Sequence, residues 1–302
     1  MAQSSTTRPP FSGGPTAPPA AIRVRPARIA TYVALYVLGA LFLLPFLWAV
    51  GASFKTNAAV YEFPPTLIPR PFHPENYEIA LSVLPFGLFA LNSLVVTLAC
   101  VVGQLLSGSA VAYSFARLRW PGRDLWFLVL LGTMMLPPQV TIVSTFVGWT
   151  QLRNWTGVEW VDTFKPLIIP SFLGGSGMLI FLMRQFFKTL PLELDDAARM
   201  DGCTTWGTFW RVMLPLSRPV LATVAVLSFI AHWHDFLGPL IYLNSVDKYT
   251  LQIGLRMFQD INGSRMNLLM AASMIVLLPV LILFFVAQRY LVKGIVLSGI
   301  KG

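Results

Sequence analysis

The stretch PLELDDAARMDGCTTWGTFWRVMLP, Pro191 to Pro215, is a charged island between long apolar runs and is dense in helix signals. Pro191 suits the first turn of a helix, and Glu193, Asp195 and Asp196 lie where the positive end of the helix dipole favours acidic groups. Gly202 suits a residue just past the helix end that turns the chain back. Thr204 or Thr205 then caps a second short helix through Val212, stopped by Pro215. The expectation is a compact knob of helix, glycine bend and helix. Leu194, Ala197 and Ala198 are expected to share one face of the first helix, small enough for a partner surface to approach closely.

Outward from this knob the sequence turns apolar. The 302 residues are 55% hydrophobic and only 12% charged, about half the charge of a soluble domain, and the mean hydropathy is +0.66. A membrane-spanning helix needs about 20 mostly apolar residues. Uncharged stretches of that order run from Ile29 to Phe54, Ile79 to Ala116, Leu125 to Leu152, Pro166 to Met183 and Met266 to Gln288. Another, Pro219 to about Leu243, is interrupted only by His232, His234 and Asp235. Six spans are expected, in an all-α integral membrane protein. The second run is too long for one helix, which places Pro85 and Gly87 in its approach and the span proper near Leu91. Pro137-Pro138 should kink or end the third.

The formal net charge of +9 is a topological signal. With the N-terminus inside, 15 of the 22 Lys and Arg fall in inner segments, so the positive-inside rule puts both termini in the cytoplasm. Basic residues distributed this way form no continuous face, which argues against nucleic acid as a partner; the partner of the apolar surface is membrane lipid. Residues 1–28, rich in Pro, Ser, Thr and Arg, read as a disordered cytoplasmic tail rather than a cleaved signal peptide. Residues 29–292 form the transmembrane domain, with the cytoplasmic loop at 188–218, and 293–302 a cytoplasmic C-terminal tail. Cys100 lies in a span and Cys203 in the loop, so no disulfide is expected. Neither a zinc-protease spacing of histidines nor a glycine-rich nucleotide loop ending in Lys-Ser or Lys-Thr is present, so neither a metal nor a bound nucleotide is expected.

At the loop the chain resembles the inner-membrane permease subunits of binding-protein-dependent ABC importers, whose signature is Glu-Ala-Ala, three residues, Gly, nine residues, then Ile-x-Leu-Pro. Asp196-Ala197-Ala198, Gly202 and Val212-Met213-Leu214-Pro215 keep that spacing, with Asp196 in place of Glu and Val212 in place of Ile. Asn92-Ser93, Ala112-Tyr113, Ala116-Arg117, Pro121-Gly122-Arg123, Met134 to Val140, Arg184 to Phe187, Trp233 to Leu240 and the ending Gly299 to Gly302 are similar to the maltose-type, carbohydrate-transporting branch. The resemblance implies the type I importer permease fold in a bacterial or archaeal cytoplasmic membrane. It implies no catalytic residue and no cofactor on this chain, with ATP and Mg held by a partner ATPase. The implied partners are a second permease subunit, two ATPase subunits and an extracytoplasmic substrate-binding protein. Asp196, Ala197, Ala198, Gly202, Leu214 and Pro215 are then the ATPase-coupling residues, and the C-terminal tail, loosened by Gly294, Gly299 and Gly302, is similar to one that reaches toward the ATPase.

The transport path is read from polar residues inside spans. Asp235 lies about 24 Å beyond Pro219 along a helix, in the outer half of the bilayer, where an ionisable group should face the bundle interior or a wet cavity. Trp233 beside it offers a face for a sugar ring, and Asn92 and Gln104 are weaker candidates. The alternative roles are interfacial anchoring for Trp233, pairing with His232, His234 or a partner chain for Asp235, and interhelical bonding for the amides. Gly174-Gly175-Ser176-Gly177 is expected to permit close helix packing. A competing class, the ion-gradient-driven secondary transporter, calls for paired intramembrane carboxylates, whereas Asp235 is embedded by itself.

Overall fold

The computed structural model describes residues 26–260 and 265–299, and every regular element among them is helical. The expected N-terminal tail lies, up to residue 25, outside the described residues. The chain divides into two units, Met1–Leu47 and Trp48–Gly302. The first holds most of helix α1 (Pro26–Ser53), whose Arg28–Ser53 portion has a mean hydropathy of 2.3.

In the second unit, α2 (Glu75–Val83) precedes a long helix α3 (Phe86–Arg117), and α4 (Arg123–Thr133) is followed by α5 (Pro138–Thr156). Next come α6 (Lys165–Phe172) and α7 (Gly177–Thr189), then the loop helices α8 (Glu193–Met200) and α9 (Thr205–Leu216). The remainder is α10 (Arg218–Trp233), α11 (Leu237–Tyr242), α12 (Leu251–Asp260) and α13 (Met266–Gly299). Four stretches are long and apolar enough to cross a membrane: Arg28–Ser53, Phe86–Arg117, Lys165–Thr189 and Met266–Gln288. Two bent pairs, α4 with α5 at 102° and α9 with α10 at 80°, bring the number to six if each pair is one span.

The breaks have local causes. Pro137 is extended (φ −60°, ψ 132°) and Pro138 opens α5, so the double proline ends α4 and re-aims the chain. The second span begins at Phe86, five residues before Leu91, and Gly87 lies inside the helix rather than in its approach. The run from Pro219 to Leu243 is not continuous: α10 stops at Trp233 and α11 starts at Leu237. At the other end of the chain, α13 continues through Gly299, so the segment from Lys293 to Gly299 is helix where a loose tail was expected. Residues 300–302 lie outside the described residues.

Two buried clusters hold the second unit. One gathers around Phe86, Phe89, Trp233, Phe258, Ala271 and Val276, and joins α3, α10, α12 and α13 at the Phe86 end of α3. The other gathers around Tyr113, Phe127, Met183, Phe187, Phe209 and Val224 at the Arg117 end. Tyr113 meets Phe209 at 5.2 Å and Phe187 edge-on at 6.1 Å between ring centroids, contacts worth about 0.5–1.5 kcal/mol each beyond burial. Between the clusters a π-turn, Gln104–Gly108, opens α3. There Gln104 donates Nε2–H to the Gly174 carbonyl at 3.1 Å and accepts the Ser176 N–H at 2.7 Å. Gly175 makes this possible, because its φ of +64° and a Cβ only 2.1 Å from Gln104 Oε1 exclude any other residue without movement.

Candidate functional site

The charged loop folds as a helix, a left-handed glycine and a second helix. Helix α8 starts at Glu193 with Leu192 at its N-cap, two residues later than Pro191 suggested. Its C-terminus closes with paired bonds: Gly202 N–H donates to Arg199 O at 3.0 Å and Cys203 N–H to Ala198 O at 2.9 Å. Gly202 sits at φ +78° with nothing within 4 Å of where a Cβ would lie. The arrangement is the Schellman stop, in which the glycine is needed for backbone conformation and not for space. Thr204 Oγ1 then accepts the Gly207 N–H at 3.1 Å and caps α9.

The faces of α8 differ from the expected ones. Ala198 is buried beside Asp195 and half-buried Leu194, whereas Ala197 and Asp196 are exposed. Ala197 and Ala198 therefore do not share a face, because consecutive residues leave a helix about 100° apart. Asp196 is 74% exposed and lies 3.8 Å from Arg199, one turn on. Asp195 instead points inward, with Oδ2 3.1 Å from Arg117 Nη1. Arg117 Nη2 also donates to the Leu190 carbonyl at 2.6 Å. Burial pushes the Asp195 carboxyl above its ordinary value, and the Arg117 charge opposes that rise. Arg184, buried on α7, places its guanidinium 3.6 Å from the centre of the Phe127 ring and donates Nε–H to the Phe115 carbonyl at 3.3 Å.

Pro215 does not stop the second helix. A π-turn at Phe209–Met213 precedes it, and Pro215 opens a further turn, Leu214–Leu216, before the 80° bend into α10. A proline is tolerated in a first turn, where its missing N–H has no partner to lose. Leu214 packs on the Tyr113 cluster, and Pro215 is exposed.

The sequence-selected transport residues lie toward the Phe86 end of α3 and have structural partners. Asn92 is 7% exposed and donates from Nδ2 to the carbonyls of Asp247 at 2.9 Å and Tyr249 at 3.0 Å. Its neighbour Ser93 accepts the Leu251 N–H at 2.8 Å. Trp233 is 4% exposed, stacks on Phe229 at 5.4 Å and donates Nε1–H to Val276 O at 3.1 Å. In this conformation it has no open ring face for a sugar. Asp235 sits at the break between α10 and α11, where Oδ1 accepts the Gly238 N–H at 3.1 Å; its bond is to backbone, not to a histidine. It is half-buried and remains beside an interrupted helix.

The sequence reading missed Asp162. At φ 57° it accepts from Asn244 N–H, Ser245 N–H, Ser245 Oγ and Lys248 Nζ, the last at 2.8 Å. Burial would raise its pKa, but these donors hold the carboxyl well below the usual carboxylate range. Asp162, Asn92 and Ser93 together pin the 244–251 segment. Among the described residues no cluster of three or more His, Cys, Asp or Glu could hold a metal, and Cys100 and Cys203 are free thiols.

The model of the family described as "binding-protein-dependent transport system inner membrane component" matches residues 104–296, more than half of the chain. The chain belongs to this family. The permease is 34% identical over 265 residues to the arabinooligosaccharides transport system permease protein AraQ of Halalkalibacterium halodurans, covering 85% of this chain and 91% of that protein. It is 33% identical over 271 residues to the sn-glycerol-3-phosphate transport system permease protein UgpE of Yersinia pestis, covering 87% and 94%. Its fold is similar to a chain of a bacterial ABC transporter involved in the import of the acidic polysaccharide alginate. That likeness has a TM-score of 0.76 at 24% identity, over 91% of this chain and 99% of the other. The permease is thus a multi-pass, all-helical inner-membrane component with the fold of an ABC importer subunit.

Proposed function

We propose that the permease is one of two membrane subunits of an ATP-driven importer for a sugar or a related polyol or oligosaccharide, and that α8 is its coupling helix. The observation that carries this is the split of α8. Asp195 and Ala198 are anchored inward, while Asp196 and Ala197 stand exposed beside the left-handed Gly202, presenting a small, rigid, acidic surface to a partner. That partner is the ATPase subunit, which carries ATP and Mg, and its closure pulls α8 and through it α7 and α9. Leu214 roots the second half of the loop in the Tyr113 cluster.

The bent pair α4 and α5 is read as one span and α10 with α11 as another, while α9 stays in the loop, giving six spans with both termini in the cytoplasm; the 15-to-seven split of basic residues supports this orientation. The carbohydrate assignment is supported by the names of the relatives, which transport arabinooligosaccharides and sn-glycerol-3-phosphate. Asp235 is the best-placed path residue, half-buried at a helix break in the outer half of the bilayer, whereas Trp233 and Asn92 support that region from behind. Transport is alternating access, in which ATP binding on the partner biases two packings of the spans.

The test is copurification in mild detergent followed by reconstitution. The expected complex contains this chain, a second permease and two ATPase subunits. A ligand screen on the extracytoplasmic binding protein that stimulates its ATPase should return a carbohydrate or polyol. The chain by itself should show no ATPase activity. Uptake by this chain reconstituted without an ATPase would overturn the reading.

A further inference from the structure

Asp195 and Asp196 are consecutive on α8, and their side chains meet different surroundings: 11% of Asp195 is exposed against 74% of Asp196. Asp195 is committed to Arg117, whose own side chain is 3% exposed. Arg117 is the last residue of α3, the helix whose other end carries Asn92 and Ser93 and, through them, the 244–251 segment. Helix α8 is therefore joined to α3 by an ion pair, in addition to the packing of Leu194 on the Tyr113 cluster and its chain connections to α7 and α9.

The contact is buried, but a cavity adjoins it on one side. A cavity of about 570 Å³ lies between the end of α3 and α8, lined by Tyr113, Arg117, Arg119, Trp120, Asp195 and Arg199 among others. A close-packed seat would pass motion through many apolar contacts. Here the apolar seat is limited to Leu194 on the Tyr113 cluster, and beside the cavity the guanidinium reaches the Asp195 carboxylate with one nitrogen and the Leu190 carbonyl with another. It thus holds both the helix and the residue leading into it.

We propose that Arg117 is a positioning residue for coupling: through Asp195 it holds α8 at a fixed distance from the end of α3, so that a pull on α8 also moves the second span. This rests on the coupling-helix reading of α8. Without the pair, α8 would still dock on the ATPase, but it would lean into the cavity and α3 would lag behind it.

The experiment uses the whole importer in nanodiscs, with Cys100→Ser and Cys203→Ser, and spin labels at Met200→Cys and Arg119→Cys. The inter-label distance is measured without nucleotide and with ATP plus vanadate. With the pair intact, the distribution should be narrow and should shift by less than about 2 Å between the two states, the scale of a small helix shift. With Arg117→Met and Asp195→Asn together, which leaves no unpaired buried charge, it should broaden and change with nucleotide. Arg117→Lys keeps the charge but loses the fork that reaches two acceptors, and should broaden it less. A nucleotide-dependent shift with the pair intact overturns the proposal, as does an unchanged narrow distribution in both variants. Failure of the chain to assemble with any ATPase subunit overturns the importer reading instead.

Discussion

The Trp233 indole donates its Nε1–H to the Val276 carbonyl at 3.1 Å, joining α10 to α13 three residues before Pro279. A proline inside a helix removes one backbone donor and loosens the neighbouring turn, and the indole bonds to that turn. Trp233→Phe should keep the stack on Phe229 and lose the bond, lowering stability by about 1 kcal/mol. Thermal unfolding of the complex should show that loss, with the concentration dependence of uptake unchanged. A large fall in apparent substrate affinity at normal stability would return Trp233 to the transport path.

Gly202 has a positive φ and open space around it, so a substitution there is penalised by backbone conformation and not by bulk. A left-handed residue with a Cβ costs roughly 1–2 kcal/mol, and Asn tolerates the region best. Gly202→Asn should therefore transport near normally, whereas Gly202→Val should insert into the membrane but fail in uptake assays. Equal activity of the two variants would count against the role of the bend.

Asn92 holds two carbonyls with one amide. Asn92→Ala leaves both without their donor and should cost about 1–3 kcal/mol. Asn92→Asp should be worse at neutral pH, because it sets an acceptor against two acceptors. Limited proteolysis at 244–250 should report both, with Asp the more susceptible.

Asp162 should make the same segment resistant to acid. Its folded pKa lies below the ordinary value, so the stability it contributes is present above about pH 4 and is lost only as pH falls toward the depressed value. Hydrogen exchange at Asn244 and Ser245 should stay slow from pH 7 to about 4 after correction for intrinsic rates. Asp162→Asn should exchange faster throughout that range. Loss of protection in the unsubstituted protein near pH 5 would contradict the assignment.

The loop was the most legible part of the sequence because its signals are local. A cap at Thr204, acids in the first turn of α8 and a glycine at its end act within a few residues of one another, and the structure has all three. Pro215 was misread because the five-residue π-turn just before it, Phe209–Met213, cannot be seen in composition. Arg117 and Asp195 were each visible, but 78 positions separate them. The sequence showed only that Asp195 and Asp196, about 100° apart around a helix, meet different surroundings, not which of the two faces inward. Asp162 carried no such sign, since its donors come from a segment more than 80 residues away.

The apolar runs determined by themselves that this is a membrane protein, and the residues from Asp196 to Pro215 carried its resemblance to the importer permeases, because hydropathy and helix signals depend on short stretches of chain. The tertiary structure alone decided which polar residues are free to act. Asn92, Gln104 and Trp233 are the same residues whether they line a path or hold helices together, and only the carbonyls packed against them distinguish the two. In a medium without water a buried donor takes whichever acceptor the fold brings to it. In the loop, the fold likewise made Asp195 an internal anchor beside Arg117 and left Asp196, one residue on, exposed.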